Sequence, residues 1–119
     1  MEPNLGSYLQ NQIKQAQQIE LQLEQTASQK YQLEIKVKEL EKTLKELNEI
    51  PDGTDIYRNT GVVMYKVLEK KKLIDELEEQ KELSEIRIKT YERQQKSLED
   101  KYKELEESLR KSYEQQQKK

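Results

Sequence analysis

The sequence predicts a mainly α protein, in which two long helices form an antiparallel coiled-coil arm and a central β-hairpin assembles with other subunits into a β-barrel. Charged residues make up 39% of the 119 residues and hydrophobic residues only 32%, without Phe or Trp, which argues against a compact globular core. Apolar residues recur with a heptad period in each half. Between the halves lies DIYRNTGVVMYKV, residues 55–67, which is rich in β-branched and aromatic residues.

The first helix is predicted over residues 5–50. A frame with alternating steps of three and four residues carries apolar side chains at nine of its twelve positions. Because Pro51 disfavours helical geometry in the residue before it and Asp52-Gly53 favours a turn, the helix should end near Ile50. The positions of this seam are Leu9, Gln12, Ala16, Ile19, Leu23, Thr26, Lys30, Leu33, Val37, Leu40, Leu44 and Leu47.

The central stretch predicts a β-hairpin with strands over residues 55–59 and 62–67. Successive side chains of a strand point to opposite faces, and successive residues of the second strand are apolar. Both faces of this strand are therefore apolar. Asn59-Thr60-Gly61 is the predicted turn, in which Gly61 can adopt a positive φ. The apolar residues of this strand are Val62, Val63, Met64, Tyr65 and Val67.

The second helix is predicted over residues 69–114, with a frayed tail at 115–119, so that residues 1–119 form one domain. Eight of its twelve seam positions are apolar: Ile74, Leu77, Lys81, Ser84, Ile88, Tyr91, Gln95, Leu98, Tyr102, Leu105, Leu109 and Ser112. If the chain reverses at the hairpin, a register in which paired residue numbers add up to about 121 places Leu44 beside Leu77. It also places Thr26 opposite Gln95, so that polar seam residues meet and help to define the register.

The hairpin is predicted to be an oligomerisation element. A two-stranded hairpin is marginal in water, and one with an apolar strand and two open edges requires further strands, for which equivalent hairpins of other subunits are the nearest source. A simple connecting loop would need only a few polar residues. The residues assigned to the oligomerisation hairpin are Ile56, Tyr57, Gly61, Val62, Val63, Met64, Tyr65 and Val67.

The ends of the helices far from the hairpin carry a second candidate site. Under the proposed register, the apolar stripe at the start of the first helix faces mostly polar residues at the end of the second. Such side chains can either bind apolar ligands weakly or simply form the last turns of the coiled coil. The residues of this set are Leu5, Leu9, Ile13, Leu109 and Tyr113.

Composition argues against several classes of function. The absence of Cys and His, and of a glycine-rich phosphate loop, predicts no enzyme, no metal site and no cofactor. A net charge of −2 without long charge blocks predicts no binding of nucleic acid or membranes. Without a membrane span or signal peptide, we expect a soluble, cytoplasmic protein. A purely structural coiled-coil tether and an RNA-binding helical arm are the alternative hypotheses.

The order helix, β-hairpin, helix, with the hairpin residues IYRNTGVVMYK and the downstream run LSEIRIKTYERQQKSLEDKYKEL, resembles the beta-class subunit of prefoldin. The resemblance implies a heterohexamer of two alpha-class and four beta-class subunits, whose hairpins build a double β-barrel. It also implies an ATP-independent chaperone that holds unfolded client proteins at the helix ends and passes them to a group II chaperonin. The end residues would then contact client, and the hairpin residues would serve assembly.

Overall fold

The computed structural model describes residues 5–117, with side chains from residue 6 to residue 115. The elements follow in the order α1 (Leu5–Glu49), β1 (Tyr57–Asn59), β2 (Met64–Lys66) and α2 (Lys70–Gln117). Two long helices with a hairpin between them are thus confirmed. α2 continues through residues 115–117, three residues beyond the predicted end of the helix, and this glutamine-rich stretch consists of good helix formers. Residues 118 and 119 lie outside the described residues.

Contacts divide the chain into two units, each of which contains a segment of both helices. The hairpin unit is Tyr31–Ile88, and the terminal unit combines Met1–Lys30 with Lys89–Lys119. In both units the predicted heptad frames are confirmed, because all twelve seam positions on each helix are buried or half-buried. In a chain with so few hydrophobic residues, the apolar side chains are therefore buried along this seam between the two helices.

The hairpin unit contains the most apolar part of the seam, formed by Val37, Leu40, Leu44 and Leu47 on α1. Ser84 on α2 is buried with them and is only 3% exposed. Lys81 Nζ lies 3.6 Å from Glu41 Oε1 across the two helices. This ion pair and the bond from Lys70 to the Ile50 carbonyl show that α1 and α2 run antiparallel in this unit.

The terminal unit is also antiparallel, but its seam contains more polar contacts. Gln12 Nε2 donates to Ser108 Oγ at 3.0 Å, the Tyr102 hydroxyl donates to Glu20, and Lys30 lies 3.7 Å from Glu92. Within each unit, the residue numbers of the paired side chains add up to 120 or 122. These values agree with the predicted register.

The boundaries of the helices next to the hairpin follow from local chemistry. After Pro51 the chain turns through Gly53, whose φ is +86°, and both the amide and the hydroxyl of Thr54 donate to the Pro51 carbonyl. Lys70 Nζ donates to the Ile50 carbonyl at 3.3 Å, so a cation caps the end of α1. The Glu69 carbonyl accepts the first hydrogen bond of α2 from the Leu73 amide. The helix therefore begins at Lys70, one residue after the predicted start.

The strands are shorter than predicted at both ends of the hairpin, and β2 begins two residues later than predicted because the turn extends further along the chain. Gly61 has φ +88° and no described non-glycine residue has a positive φ, so Gly61 is the left-handed residue of a turn that lies between Thr60 and Val63. Thr60 donates its amide to the Val63 carbonyl at 2.9 Å and accepts the Val63 amide on its hydroxyl. The turn residues Val62 and Val63 therefore lie outside the strands, as do Asp55, Ile56 and Val67.

Candidate functional site

The hairpin exposes nearly all of its apolar side chains. β1 and β2 pair in one antiparallel ladder, with Tyr57 opposite Lys66, Arg58 opposite Tyr65 and Asn59 opposite Met64. No other strand joins this sheet within residues 5–117, so each strand has a free edge. Val62 is 92% exposed, and the other exposed apolar residues here are Tyr57, Val63, Met64, Tyr65 and Leu68. A cluster of exposed apolar side chains is typical of an interaction site.

The two faces of the hairpin have different environments. Arg58 and Tyr65 are cross-strand neighbours on the face that meets α2, where they line a groove of ≈ 450 Å³ together with Leu73. The opposite face carries Tyr57 and Met64, and both side chains are exposed. Of the predicted hairpin residues, only Ile56 and Val67 are half-buried. The face away from α2 is therefore the one most available to a partner strand or sheet.

An ion pair that the sequence analysis did not predict attaches the hairpin to α2. The two terminal nitrogens of Arg58 donate to the two carboxylate oxygens of Glu76 at 3.0 and 3.1 Å. This paired geometry orients the guanidinium more strictly than a single contact would. An arginine in an apolar hairpin is the sequence signal for such a pair. The start of α2 offers several acidic residues, however, and the sequence does not distinguish among them.

The Arg58–Glu76 pair predicts a pH-dependent attachment of the hairpin. Hydrogen bonds from Arg58 and its positive charge lower the pKa of Glu76 below its ordinary range. Because the carboxylate form is the one stabilised, the attachment is complete above that ordinary range and is lost as the pH falls through the lowered pKa. We expect carboxyl NMR titration to give a lower midpoint for Glu76 in the wild type than in the Arg58→Met variant. Equal midpoints would contradict the pair.

The helix-end residues do not form one uniformly exposed set. Ile13 is 47% exposed and Tyr113 is 58% exposed, whereas Leu9 and Leu109 occupy seam positions and are half-buried. The side chain of Leu5 lies outside the described side chains. Tyr8, which the sequence analysis did not select, is also exposed. Ile13 and Tyr113 are therefore the predicted end residues that offer most apolar surface to a ligand.

A polar network lies in the seam beside these exposed residues. Buried Gln12 donates to the Tyr8 hydroxyl at 2.7 Å as well as to Ser108, while its Oε1 has no partner among the described residues. Tyr102 donates to Glu20, which raises the pKa of Tyr102. Polar seam residues lower the stability of a coiled coil relative to leucine but help to specify its register. The terminal unit therefore has a more polar seam than the hairpin unit.

Among residues 5–117, no group of three or more acidic side chains is placed to hold a metal ion. None of the described helices is long and apolar enough to cross a membrane. The candidate site consists instead of apolar surfaces, at the hairpin and near the helix ends.

Fold and surface together define a class of protein: two long helices joined by a central two-stranded β-hairpin that exposes apolar side chains and free strand edges. A family model described as prefoldin subunit matches residues 10–116. The chain belongs to this family and is a prefoldin chaperone subunit. Membership implies assembly with other prefoldin subunits.

Individual relatives point to the beta class. Prefoldin subunit beta of Thermoplasma volcanium is 62% identical over 102 residues, which cover 86% of this chain and 82% of the relative. The same subunit of Thermoplasma acidophilum is 56% identical with the same coverage. The crystal structure of the prefoldin beta subunit from Thermococcus strain KS-1 matches with a TM-score of 0.80 at 30% identity, covering 93% of this chain and 96% of that one. The predicted resemblance to beta-class prefoldin is confirmed.

Proposed function

We propose that this chain is a subunit of an ATP-independent holdase, which binds unfolded proteins at the ends of its helices and passes them to a group II chaperonin in the cytoplasm. The observation that carries the proposal is the hairpin, a two-stranded sheet with apolar residues exposed around its turn and on its strands. A surface of this kind brings several subunits together, and several subunits bring several pairs of helix ends together.

Assembly would proceed through the open strand edges and the face away from α2. Equivalent hairpins can add strands edge to edge until the sheet closes, which removes the free edges and buries Tyr57 and Met64. The proposed complex contains two alpha-class and four beta-class subunits around a double β-barrel. The alpha-class partners supply hairpins of their own, so that one chain type need not form every edge contact.

Client binding would use the exposed apolar side chains near the helix ends, of which Ile13 and Tyr113 are described. One such side chain contributes little affinity, because its apolar area is small and remains partly in contact with the helix. Several helix ends in one complex hold the same unfolded chain by multivalency, while each contact can release separately. Binding of this kind needs no nucleotide and allows transfer to a chaperonin.

The test of client binding is the double variant Ile13→Ser, Tyr113→Ser. Both side chains lie off the seam and are exposed, so replacing them removes apolar surface with little effect on the coiled coil. We expect roughly tenfold more of the assembled complex to be needed to suppress aggregation of an unfolded protein, because each helix pair loses its main apolar contacts. Light scattering of a diluted, chemically unfolded protein measures the effect.

The matched control is Leu21→Ser, which removes an apolar side chain that is 55% exposed on α1 of the same unit but lies two turns further from the helix start. We expect nearly full activity from it. Equal losses in the control and the double variant would contradict client binding at the helix ends. The mass of each complex is measured in parallel, so that a failure to assemble is not mistaken for a failure to hold client.

A further inference from the structure

One flank of α1 in the terminal unit is a stripe of amide side chains. Its members follow one another in alternating steps of four and three residues, which places them on one side of the helix next to the seam. The other flank of α1 carries charged residues, among them Glu20 and Glu24. An uncharged stripe of this length is unexpected in a chain of which 39% is charged. The residues of the stripe, all exposed, are Asn11, Gln15, Gln18, Gln22, Gln25 and Gln29.

Part of this stripe forms one wall of a groove between the two helices of the terminal unit. Gln22, Gln25 and Gln29 line it from α1, and Gln94 and Ser97 line it from α2. The groove measures ≈ 380 Å³, and its two remaining lining residues are a threonine and a leucine of the seam. None of these seven described residues is charged or aromatic. We call this groove, with its four glutamines, the amide groove.

A second groove in the same unit contains an unpaired amide oxygen. It measures ≈ 350 Å³, and Gln12 and Gln15 are among its lining residues. Gln12 is only 9% exposed, and its buried Oε1 accepts no hydrogen bond from the described residues. A buried acceptor without a donor is unfavourable, because it has lost its hydrogen bonds to water. A ligand that donates an N–H in this groove would satisfy it.

The chemistry of the two grooves favours one class of ligand. Phosphates of a nucleic acid require cations, and unpaired bases require aromatic side chains for stacking, neither of which lines the amide groove. A glutamine side chain both donates and accepts hydrogen bonds, so its complement is a group that does the same. The peptide group is such a group. Folded proteins pair nearly all of their buried peptide groups internally, whereas an unfolded chain leaves them available.

We propose that the amide groove and the groove beside Gln12 bind the main chain of an unfolded client protein in an extended conformation. The glutamine amides donate to its carbonyl groups and accept from its N–H groups. This inference rests on the proposed holdase function and adds a main-chain contact to the apolar contacts at the helix ends. Between Gln12 and Gln29 α1 rises by about 26 Å, which is the length of about eight extended residues. Such binding is independent of client sequence, because every residue except proline offers the same groups.

A peptide with little apolar surface tests the main-chain contact. The probe is a fluorescent 20-residue peptide of alternating alanine and serine, and its partner is the same peptide N-methylated at every alanine. Methylation removes half of the main-chain donors and leaves the side chains unchanged. We expect the assembled complex to bind the methylated peptide at least about tenfold more weakly, as measured by fluorescence anisotropy. Equal affinity for the two peptides would overturn the proposal.

The double variant Gln22→Leu, Gln25→Leu tests the groove itself. Leucine is a good helix former of similar size, so the change removes hydrogen bonds and adds apolar surface. We expect the unmodified peptide to bind roughly tenfold more weakly. The matched control is Gln10→Leu, Gln17→Leu, which makes the same change at two exposed glutamines on the other flank of α1. The control should bind the peptide with wild-type affinity, and mass measurement checks that both complexes assemble.

The outcomes separate this inference from the proposed function. Unchanged or stronger binding by the Gln22→Leu, Gln25→Leu complex would overturn main-chain binding in favour of apolar contacts, and equal losses in both double variants would overturn the assignment to the groove. A wild-type complex that suppresses aggregation but does not bind the peptide would overturn the inference and leave the holdase intact. If the complex binds the peptide but does not suppress aggregation, the holdase fails instead. Displacement of the peptide by random single-stranded RNA would assign the groove to nucleic acid and overturn the inference.

Discussion

The double variant Val63→Asp, Met64→Asp is expected to abolish assembly while leaving the helical fold intact. Both side chains are exposed in the single chain, so the new carboxylates remain solvated there and cost little. In an assembled sheet the same carboxylates would lie in a low-dielectric interface without partners, which costs several kcal/mol per charge. We expect subunit affinity to fall by about 100-fold or more. Mass measurement across a dilution series detects the loss, and circular dichroism checks the helices.

The matched control for this change is Leu21→Asp, which places a charge at an exposed leucine of α1 in the other unit. Its complex should keep the wild-type mass. If the hairpin double variant assembles with wild-type affinity, the hairpin is not the assembly surface and the chain is better described as a tether. Loss of helix signal in the double variant would instead show that the hairpin supports the folded chain itself.

The substitution Leu44→Ala is expected to cause a large loss of stability for a single seam change. Leu44 is 8% exposed and lies among the buried apolar residues of the hairpin unit, between Leu40 and Leu47. Truncation of a buried leucine removes transfer free energy and leaves a cavity, for a loss of about 2–4 kcal/mol in the free energy of unfolding. Urea unfolding followed by circular dichroism, at one fixed subunit concentration, measures the change.

The comparison with Leu21→Ala distinguishes burial from helix propensity. Leucine and alanine are both good helix formers, and Leu21 is 55% exposed, so we expect a change below about 0.5 kcal/mol. Similar losses from the two variants would show that the seam at Leu44 does not provide the burial described here. A Leu44→Ala complex that unfolds at the wild-type urea concentration would contradict the seam outright.

The helices and their register could be predicted from sequence because both depend on repeated local information. A heptad frame is read at many positions, so polar exceptions such as Gln12 or Thr26 do not obscure it. Once the chain reverses at the hairpin, apolar seam positions must face one another. One sum of residue numbers then describes pairs as far apart in sequence as Gln12 and Ser108.

The hairpin was predicted less accurately because its turn depends on backbone angles at two residues. The sequence places Gly61 in the turn, and its φ of +88° agrees with that prediction. It does not reveal that Val62 follows it as the second turn residue, since a valine preceded by glycine is equally compatible with the start of a strand. The hydrogen bonds between Thr60 and Val63 determine the position of the turn, and they exist only in the folded loop.

For the side chains of the candidate site, too, the sequence predicts one part and the structure decides the other. Six of the eight hairpin residues, all except Ile56 and Val67, are exposed in the single chain, because two strands cannot bury both of their faces. Their role in assembly stays a prediction. The heptad frames already place Leu9 and Leu109 on the seam and Ile13 and Tyr113 beside it, and the structure shows the first two half-buried and the other two exposed. The difference depends on the angular position of each side chain around its helix axis, which decides whether the side chain points towards the other helix or towards solvent.

The sequence by itself determined that two amphipathic helices pair around a central hairpin, because helical periodicity, the break at Pro51 and the apolar strand are local properties of the chain. Only the tertiary structure decided that Arg58 binds Glu76 and that Lys70 caps α1. These contacts join residues 18 or more positions apart, so each depends on where the fold brings a side chain rather than on its neighbours in sequence.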